Sequence, residues 1–295
     1  MKIKTRRYVI YYILKIFIFI TFFVPRSISL KIAEFLGKAA FHILTKHRDT
    51  VIANLNSVFS DDERLNRNLA EDVFVNLAKT GADWIKLLRY DREHISSLIT
   101  EVSGLEYVDQ TLAKGKGAIL LASHFGNWEL ISLYFKFRGH EGGVIARRIY
   151  FHKYNKLLVR IRSRFGIRII YRDDSPKEIL RMLKSNGILG ILADQDVDSV
   201  AGVFVDFFGK PAYTPTAPVA LSMATGADIV PVFMLRKSDN TYKMILEKPI
   251  QPSLSVKNDE NVLKYTQEWT RVLETYVRKY PGQWAWVHKR WKTRA

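Results

Sequence analysis

Gly117-Ala118-Ile119-Leu120-Leu121-Ala122-Ser123-His124-Phe125-Gly126-Asn127-Trp128-Glu129 is the stretch whose reading decides the fold. Ala118 to Ala122 is an uninterrupted apolar run, the pattern of a strand covered on both faces. The run stops at Ser123-His124, and Leu130, Ile131, Leu133 and Tyr134 then recur at helical spacing. A strand passing straight into a helix belongs to an α/β sheet, and such sheets keep their chemistry at the carboxyl ends of the strands. Positions five apart in a continuous helix lie about 140° apart around its axis. His124 and Glu129 therefore meet only if His124 precedes the first turn, a bend that Gly126 makes cheap.

An imidazole held by a carboxylate is the base-and-orienter half of a catalytic triad. The chain has no cysteine, so a thiol nucleophile is excluded. Ser123 adjoins the histidine, but no G-x-S-x-G elbow surrounds it. The economical catalytic reading is direct attack, with His124 taking a proton from an acceptor hydroxyl. The plainer reading, a histidine at a helix start held by a nearby acid, also fits. A zinc site fits poorly, because H-E-x-x-H is absent and no second histidine stands at ligand spacing.

Composition narrows the partners. At 295 residues the chain can bury one full core, with or without an appendage. A net charge of +17 calls for an anionic partner. No helix-turn-helix, zinc-finger or RNA-binding aromatic signature is present, so a membrane surface or a phosphorylated substrate is expected and nucleic acid is not. The absence of cysteine fits a reducing, cytoplasm-facing location.

At the start, Lys2, Lys4, Arg6 and Arg7 precede a hydrophobic stretch from Tyr8 to Val24, broken by Lys15 and Thr21. Seventeen helical residues reach about 25 Å, short of the roughly 30 Å hydrocarbon core. A cleaved signal peptide is the rival, but Pro25-Arg26-Ser27-Ile28-Ser29 offers no A-x-A-like site. We expect a helix that anchors or dips without delivering the domain across, followed by an amphipathic helix over 28–44. Its polar stripe is Lys31, Glu34, Lys38 and His42, and its apolar side includes Ile28, Phe35, Leu36 and Ile43. Whether that side lies on the bilayer or on the domain is open from sequence. Leu69, Val73, Leu77, Trp84 and Leu87 predict another helix or pair between about 62 and 90, with Gly81 as a break.

Beyond the central motif, Val144 to Ala146, Ile167 to Tyr171, Gly187 to Ala193, Ile229 to Leu235 and Tyr242 to Glu247 read as strands. Pro231 argues for an edge or a bulge. Val203 to Phe208 reads as an apolar loop, and Asp259 to Tyr280 as an amphipathic helix. The cations from Arg147 to Arg172 read first as a solvated face. Asp194-Gln195-Asp196-Val197-Asp198 invites a metal, but an EF-hand fails at Ser199 and Val205; a magnesium-holding D-x-D remains an alternative. The tail carries Trp284, Trp286 and Trp291 among cations, suited equally to a membrane interface and to packing against the sheet.

Ser123-His124-Phe125-Gly126-Asn127-Trp128-Glu129 resembles the H-x4-D/E signature of the lysophospholipid and glycerol-phosphate acyltransferase superfamily. More closely it resembles the lipid A late acyltransferases, the lauroyl and myristoyl transferases. Arg48 to Phe59, Ile145-Ala146-Arg147, Arg162 to Gly166, Leu192 to Gln195, Gly202 to Val205, Thr214 to Thr216, Ile229 to Phe233 and Gln283 to Arg294 follow in family order. The resemblance implies a three-layer α/β domain with a mixed, mainly parallel sheet over 45–295, carrying membrane-anchoring helices, the N-terminal hydrophobic one included, over 1–44. It implies acyl transfer from an acyl thioester, acyl carrier protein or acyl-CoA, to a hydroxyl of a phosphorylated lipid acceptor, a lipid A precursor. No acyl-enzyme, cofactor or metal is expected, and the domain would face the cytoplasm at the inner membrane. His124 and Glu129 become the catalytic candidates. Asn127, Arg147, Arg162 and Arg164 become candidate substrate-binding residues, and Asp194 and Asp196 candidates for positioning the acceptor or holding basic residues. Two other expectations stay open: another glycolipid or lysophospholipid as acceptor, and a basic membrane-binding homologue without activity.

Overall fold

The fold was analysed in a computed structural model that describes residues 15–59, 62–148, 152–172, 176–253 and 259–294. Helical residues 15–23 (α1) lead into α2 (Arg26–Ile43), α3 (Thr45–Asn56), α4 (Glu63–Lys86) and α5 (Arg92–Ser97). The α/β body follows: β1 (Ile99–Ser103), α6 (Leu105–Ala113), β2 (Ala118–Ala122), α7 (Glu129–Phe137), β3 (Gly142–Ala146), α8 (His152–Arg164), β4 (Arg168–Tyr171), α9 (Pro176–Lys184) and β5 (Ile188–Leu192). A hairpin of β6 (Gly202–Phe207) and β7 (Lys210–Pro215) precedes α10 (Ala217–Thr225), β8 (Asp228–Arg236), β9 (Tyr242–Leu246) and α11 (Asp259–Lys279).

Seven strands form one sheet in the order β1-β9-β8-β2-β5-β3-β4. From β8 to β4 neighbouring strands run parallel; β9 pairs antiparallel with β8, and β1 runs alongside β9. The sheet is thus mixed and mainly parallel, as expected. Its two faces are visible residue by residue along β2: Ile119 and Leu121 join one core with α4, α9, α10 and α11, while Ala118, Leu120 and Ala122 join another with α6 and α7. Helices on both faces make the three layers, which is why β2 had to be apolar throughout.

Several expectations need correction. Gly81 breaks nothing, since α4 is one continuous helix and Gly81 has open space around its Cα. Val203 to Phe208 is not a loop but mostly strand β6. Pro231 lies in an interior strand; its missing N–H falls at Glu247, just past the end of β9, where its carbonyl still accepts the Glu247 N–H.

The hydrophobic stretch from Tyr8 to Val24 falls partly outside the described residues. No helix among the described residues is long and apolar enough to cross a membrane, so the expected N-terminal membrane helix is not supported. The amphipathic α2 is present, but it buries Ser29, Leu30, Ala33, Gly37 and Phe41. Small residues allow that approach: a Cβ on Gly37 would stand 2.7 Å from Val75 Cα of α4. Other large apolar side chains point outward, with Phe35 71% and Ile43 74% exposed, continuing the exposed Phe19 and Phe23 of α1.

Candidate active site

Residues Ala122 of β2 and Leu192 of β5 are register partners at the carboxyl ends of neighbouring parallel strands. Two residues past each end stand His124 and Asp194. The same offset on paired strands brings them together: His124 Nδ1 lies 2.8 Å from Asp194 Oδ1, and the His124 backbone N–H donates to Oδ2 at 2.9 Å. From this point the two connections part. The one after β2 passes over one sheet face to β3, and the one after β5 crosses the other face to β8. Such a divergence opens a crevice at the strands' carboxyl ends.

The loop after His124 is held from both sides. Gly126 has φ +56° and a Cβ there would come within 1.8 Å of the Met234 carbonyl oxygen, so only glycine fits. Gly126 N–H donates to the Gln283 carbonyl, Ala285 N–H to the His124 carbonyl, and Asn127 N–H to the Met234 carbonyl. The tail tryptophans are packing residues: Trp284 and Trp286 are buried, and Trp284 Nε1 donates to Asp194 Oδ2 at 2.9 Å. Between membrane and sheet, the sheet has them.

Asp194 thus accepts from a ring nitrogen, a backbone amide and an indole. Burial by itself would raise its pKa, but the charge and hydrogen bond of His124 hold it far below the usual carboxylate range. Burial likewise opposes protonation of His124, yet the Asp194 carboxylate, then its hydrogen bond and the more distant charge of Glu129, leave the imidazole pKa above its ordinary value. With Nδ1–H given to the carboxylate, the neutral ring carries its lone pair on Nε2, and the side chain is 25% exposed. That is a base which a substrate can reach.

Glu129 was expected to orient His124, and the structure gives that place to Asp194. Glu129 instead forms a bidentate pair with Arg162 of α8, Nη2 to Oε1 at 2.7 Å and Nε to Oε2 at 3.1 Å, at the first turn of α7. The reason is geometric: Trp128 and Glu129 have already turned into the helix, and Trp128 alone stays against the imidazole, ring centroids 5.0 Å apart. Trp128, Glu129 and Arg162 line a cleft of about 700 Å³, open solvent included, whose other walls are mostly apolar, among them Leu120, Ile131 and Val144. Gly190 also lines it, and a Cβ there would stand 3.1 Å from Val144 Cγ1.

The other candidates scatter. Asn127, expected to bind substrate, is buried and donates to the Tyr242 hydroxyl. Arg164 Nη1 donates to the Leu87 carbonyl beyond the end of α4, so it ties elements together where substrate binding was expected. Asp196 accepts from Thr293 N–H and Oγ1 at 2.8 and 2.7 Å, and Lys292 Nζ approaches it at 4.0 Å, so it holds the tail and one of the basic residues it was expected to hold. Arg147 is exposed just past the end of β3. Among the described residues no group of three or more histidine, cysteine and carboxylate side chains could hold a metal ion, and the D-x-D carboxylates bond protein groups, Asp194 with His124 and Trp284, Asp196 with Thr293. Trp128 and Trp284 join the site without having been expected there; the equal offset of His124 and Asp194 from two buried strands pairs them only once β5 is known to lie beside β2.

A three-layer sheet with a histidine–carboxylate pair at its crevice and an apolar cleft alongside defines a class. The chain matches the family model described as bacterial lipid A biosynthesis acyltransferase over residues 1–293, and it belongs to that family. Among curated relatives it is 27% identical over 286 residues to the lipid A biosynthesis lauroyltransferase of Escherichia coli, covering 92% of this chain and 87% of that one. It is 28% identical over 189 residues to the phosphatidylinositol mannoside acyltransferase of Mycobacterium tuberculosis, 57% of this chain; the matched part spans only 60% of that protein's length. The lipid A biosynthesis myristoyltransferase of Escherichia coli is 22% identical over 260 residues, 88% of this chain and 79% of the other.

Proposed function

We propose that the protein transfers a fatty acyl group from an acyl thioester, acyl carrier protein in the first instance, to a hydroxyl of a lipid A precursor. The single observation that carries this reading is a partly exposed imidazole with Nδ1 committed to Asp194 and its ring against Trp128, which lines an apolar cleft. Nε2 takes the hydroxyl proton as the alkoxide oxygen attacks the thioester carbonyl. The tetrahedral intermediate collapses, the C–S bond breaks, and the imidazolium gives its proton to the departing thiolate. Asp194 steadies the imidazolium between these two transfers. Donor and acceptor are both bound throughout, and no acyl-enzyme forms.

The fatty chain lies in the cleft, each buried methylene contributing about 0.8 kcal/mol. Glu129 and Arg162 line the cleft, and the exposed Arg147 faces the phosphorylated acceptor. The protein works at the cytoplasmic side of the inner membrane. There the outward Phe19, Phe23, Phe35 and Ile43 enter the interface, and the +17 charge meets anionic headgroups.

The test is purified protein given acyl carrier protein thioesters of several lengths with a panel of acceptors, products read by mass spectrometry. The panel holds a lipid A precursor, a phosphatidylinositol mannoside and lysophosphatidate. Transfer to the lipid A precursor that is lost in His124→Ala supports the reading. Preference for the mannoside, favoured by the mycobacterial relative's similarity, would change the acceptor and keep the chemistry. Release of one equivalent of carrier thiol without any acceptor would overturn the ternary-complex step.

A further inference from the structure

Helix α4 buries a polar stripe, Asn76, Thr80 and Asp83, at spacings of four and three that place it on one face. This face meets the residues after His124. Thr80 Oγ1 donates to the Gly126 carbonyl at 2.9 Å, and Asn127 Nδ2 donates to the Tyr242 hydroxyl at 3.0 Å. The Tyr242 hydroxyl in turn donates to Asp83 Oδ2. Arg236 closes the cluster, donating from Nη1 to Asp83 at 2.8 Å, from Nη2 to Thr80 and from Nε to Asn76. Its backbone exchanges two hydrogen bonds with the side chain of Gln283, whose carbonyl accepts the Gly126 N–H.

The second guanidinium on Asp83 comes from elsewhere. Arg26, in the first turn of α2, donates from Nε to Oδ1 at 2.6 Å and from Nη2 to Oδ2 at 3.0 Å, and also to the Asn240 carbonyl. Farther along α4 and just beyond it, Lys86 donates to the Val24 carbonyl and Arg89 to the Phe22 and Phe23 carbonyls, holding the end of α1. The N-terminal helices, with their outward phenylalanines, are thereby wired to the same buried carboxylate that fixes Tyr242. Two guanidiniums and one carboxylate taken out of water gain little net stability, because desolvation offsets most of the attraction. Stability alone is therefore a weak reason for this cluster.

We propose that Asp83 and Tyr242 are positioning residues for His124, and that Arg26 makes their geometry answer to how α1 and α2 are seated on an anionic lipid surface. The proposal rests on the acyl-transfer reading above. Its consequence is interfacial activation: binding of the N-terminal helices to lipid tightens the 123–129 loop and raises turnover.

The experiment uses the full chain with acceptor presented in anionic phospholipid vesicles or in neutral detergent micelles, following kcat, KM and backbone hydrogen exchange over 118–130. Wild-type protein should show higher kcat and slower loop exchange on vesicles than in micelles. Tyr242→Phe removes a single oxygen and should lower kcat about ten- to a hundredfold with KM unchanged, the scale expected of a displaced base. Arg26→Gln should bind vesicles yet lose the slowing of loop exchange; Arg26→Lys should restore part of it. Wild-type kcat in Tyr242→Phe, or loop exchange in wild type indifferent to vesicles, would overturn the proposal. A wild-type protein inactive toward every acceptor would sink the acyl-transfer reading instead, and the exchange measurements would still decide whether the loop responds to lipid. Should Arg26→Gln fail to fold, Tyr242→Phe and the wild-type exchange carry the test alone.

Discussion

Two acid–base pairs flank Trp128, and they are built differently. On one side Asp194 is fully buried and holds an imidazole by one nitrogen, leaving the other nitrogen open on a side chain 25% exposed. On the other, Glu129 and Arg162 use both oxygens and two guanidinium nitrogens on each other, with side-chain exposures of 14% and 12%. The first pair has a spare site for a proton; the second has committed its best donors and acceptors. Proximity in sequence joined His124 to Glu129, but capacity for proton transfer follows from what remains unsatisfied, and that belongs to His124 with Asp194.

The comparison would break most visibly in turnover. His124→Ala should lower kcat by about 10² to 10⁴, while the melting temperature stays near wild type; the check is product formation beside calorimetry. Asp194→Asn keeps the shape and should lose about 10²-fold or more, because the imidazolium loses its counter-charge and the tautomer its partner. If Asp194→Asn were active and Glu129→Gln dead, the two roles would be reversed. For Glu129→Gln we expect a smaller loss, roughly ten- to a hundredfold, the scale of one charged hydrogen-bonded pair undone, with fatty-chain binding weakened along with turnover.

The pH profile sharpens the same contrast. His124 acts as a base only when neutral, and its pKa is raised, so kcat/KM should fall as pH drops through a value above the ordinary histidine 6.5. Glu129 contributes the smallest of the raising influences. Glu129→Gln should therefore move that acid limb slightly downward, and Asp194→Asn much farther. Least dramatic in rate, Gly190→Leu should narrow the cleft and shift preference toward shorter chains, by roughly fourfold per methylene lost, measured by competition among thioesters.

Much of the sheet was legible because burial on both faces leaves a signature no loop shares: Ala118 to Ala122 and Ile188 to Leu192 are apolar without alternation. Strand β8 was equally plain, though Pro231 suggested an edge, since sequence does not reveal where a neighbouring strand ends. The hairpin of β6 and β7 was missed because Val203 to Phe208 read as an apolar loop, whereas Phe207 packs against Trp284 and Trp291 of the tail. Within the site, His124 was legible from its place at a strand end. Its partner was not, since nothing local states that β5 will lie beside β2.

The amino-acid sequence by itself determined the central strands, the place of His124 at a strand end, the basic character and the family, because each is written in short-range pattern, composition or motif. Tertiary structure alone decided which carboxylate meets the imidazole, which face of α2 turns outward, and that Asn127 and Asp196 brace the fold. Those outcomes depend on strand order and helix packing between residues far apart in the chain: the His124–Asp194 contact spans 70 positions, and no periodicity records a distance that only the assembled sheet creates.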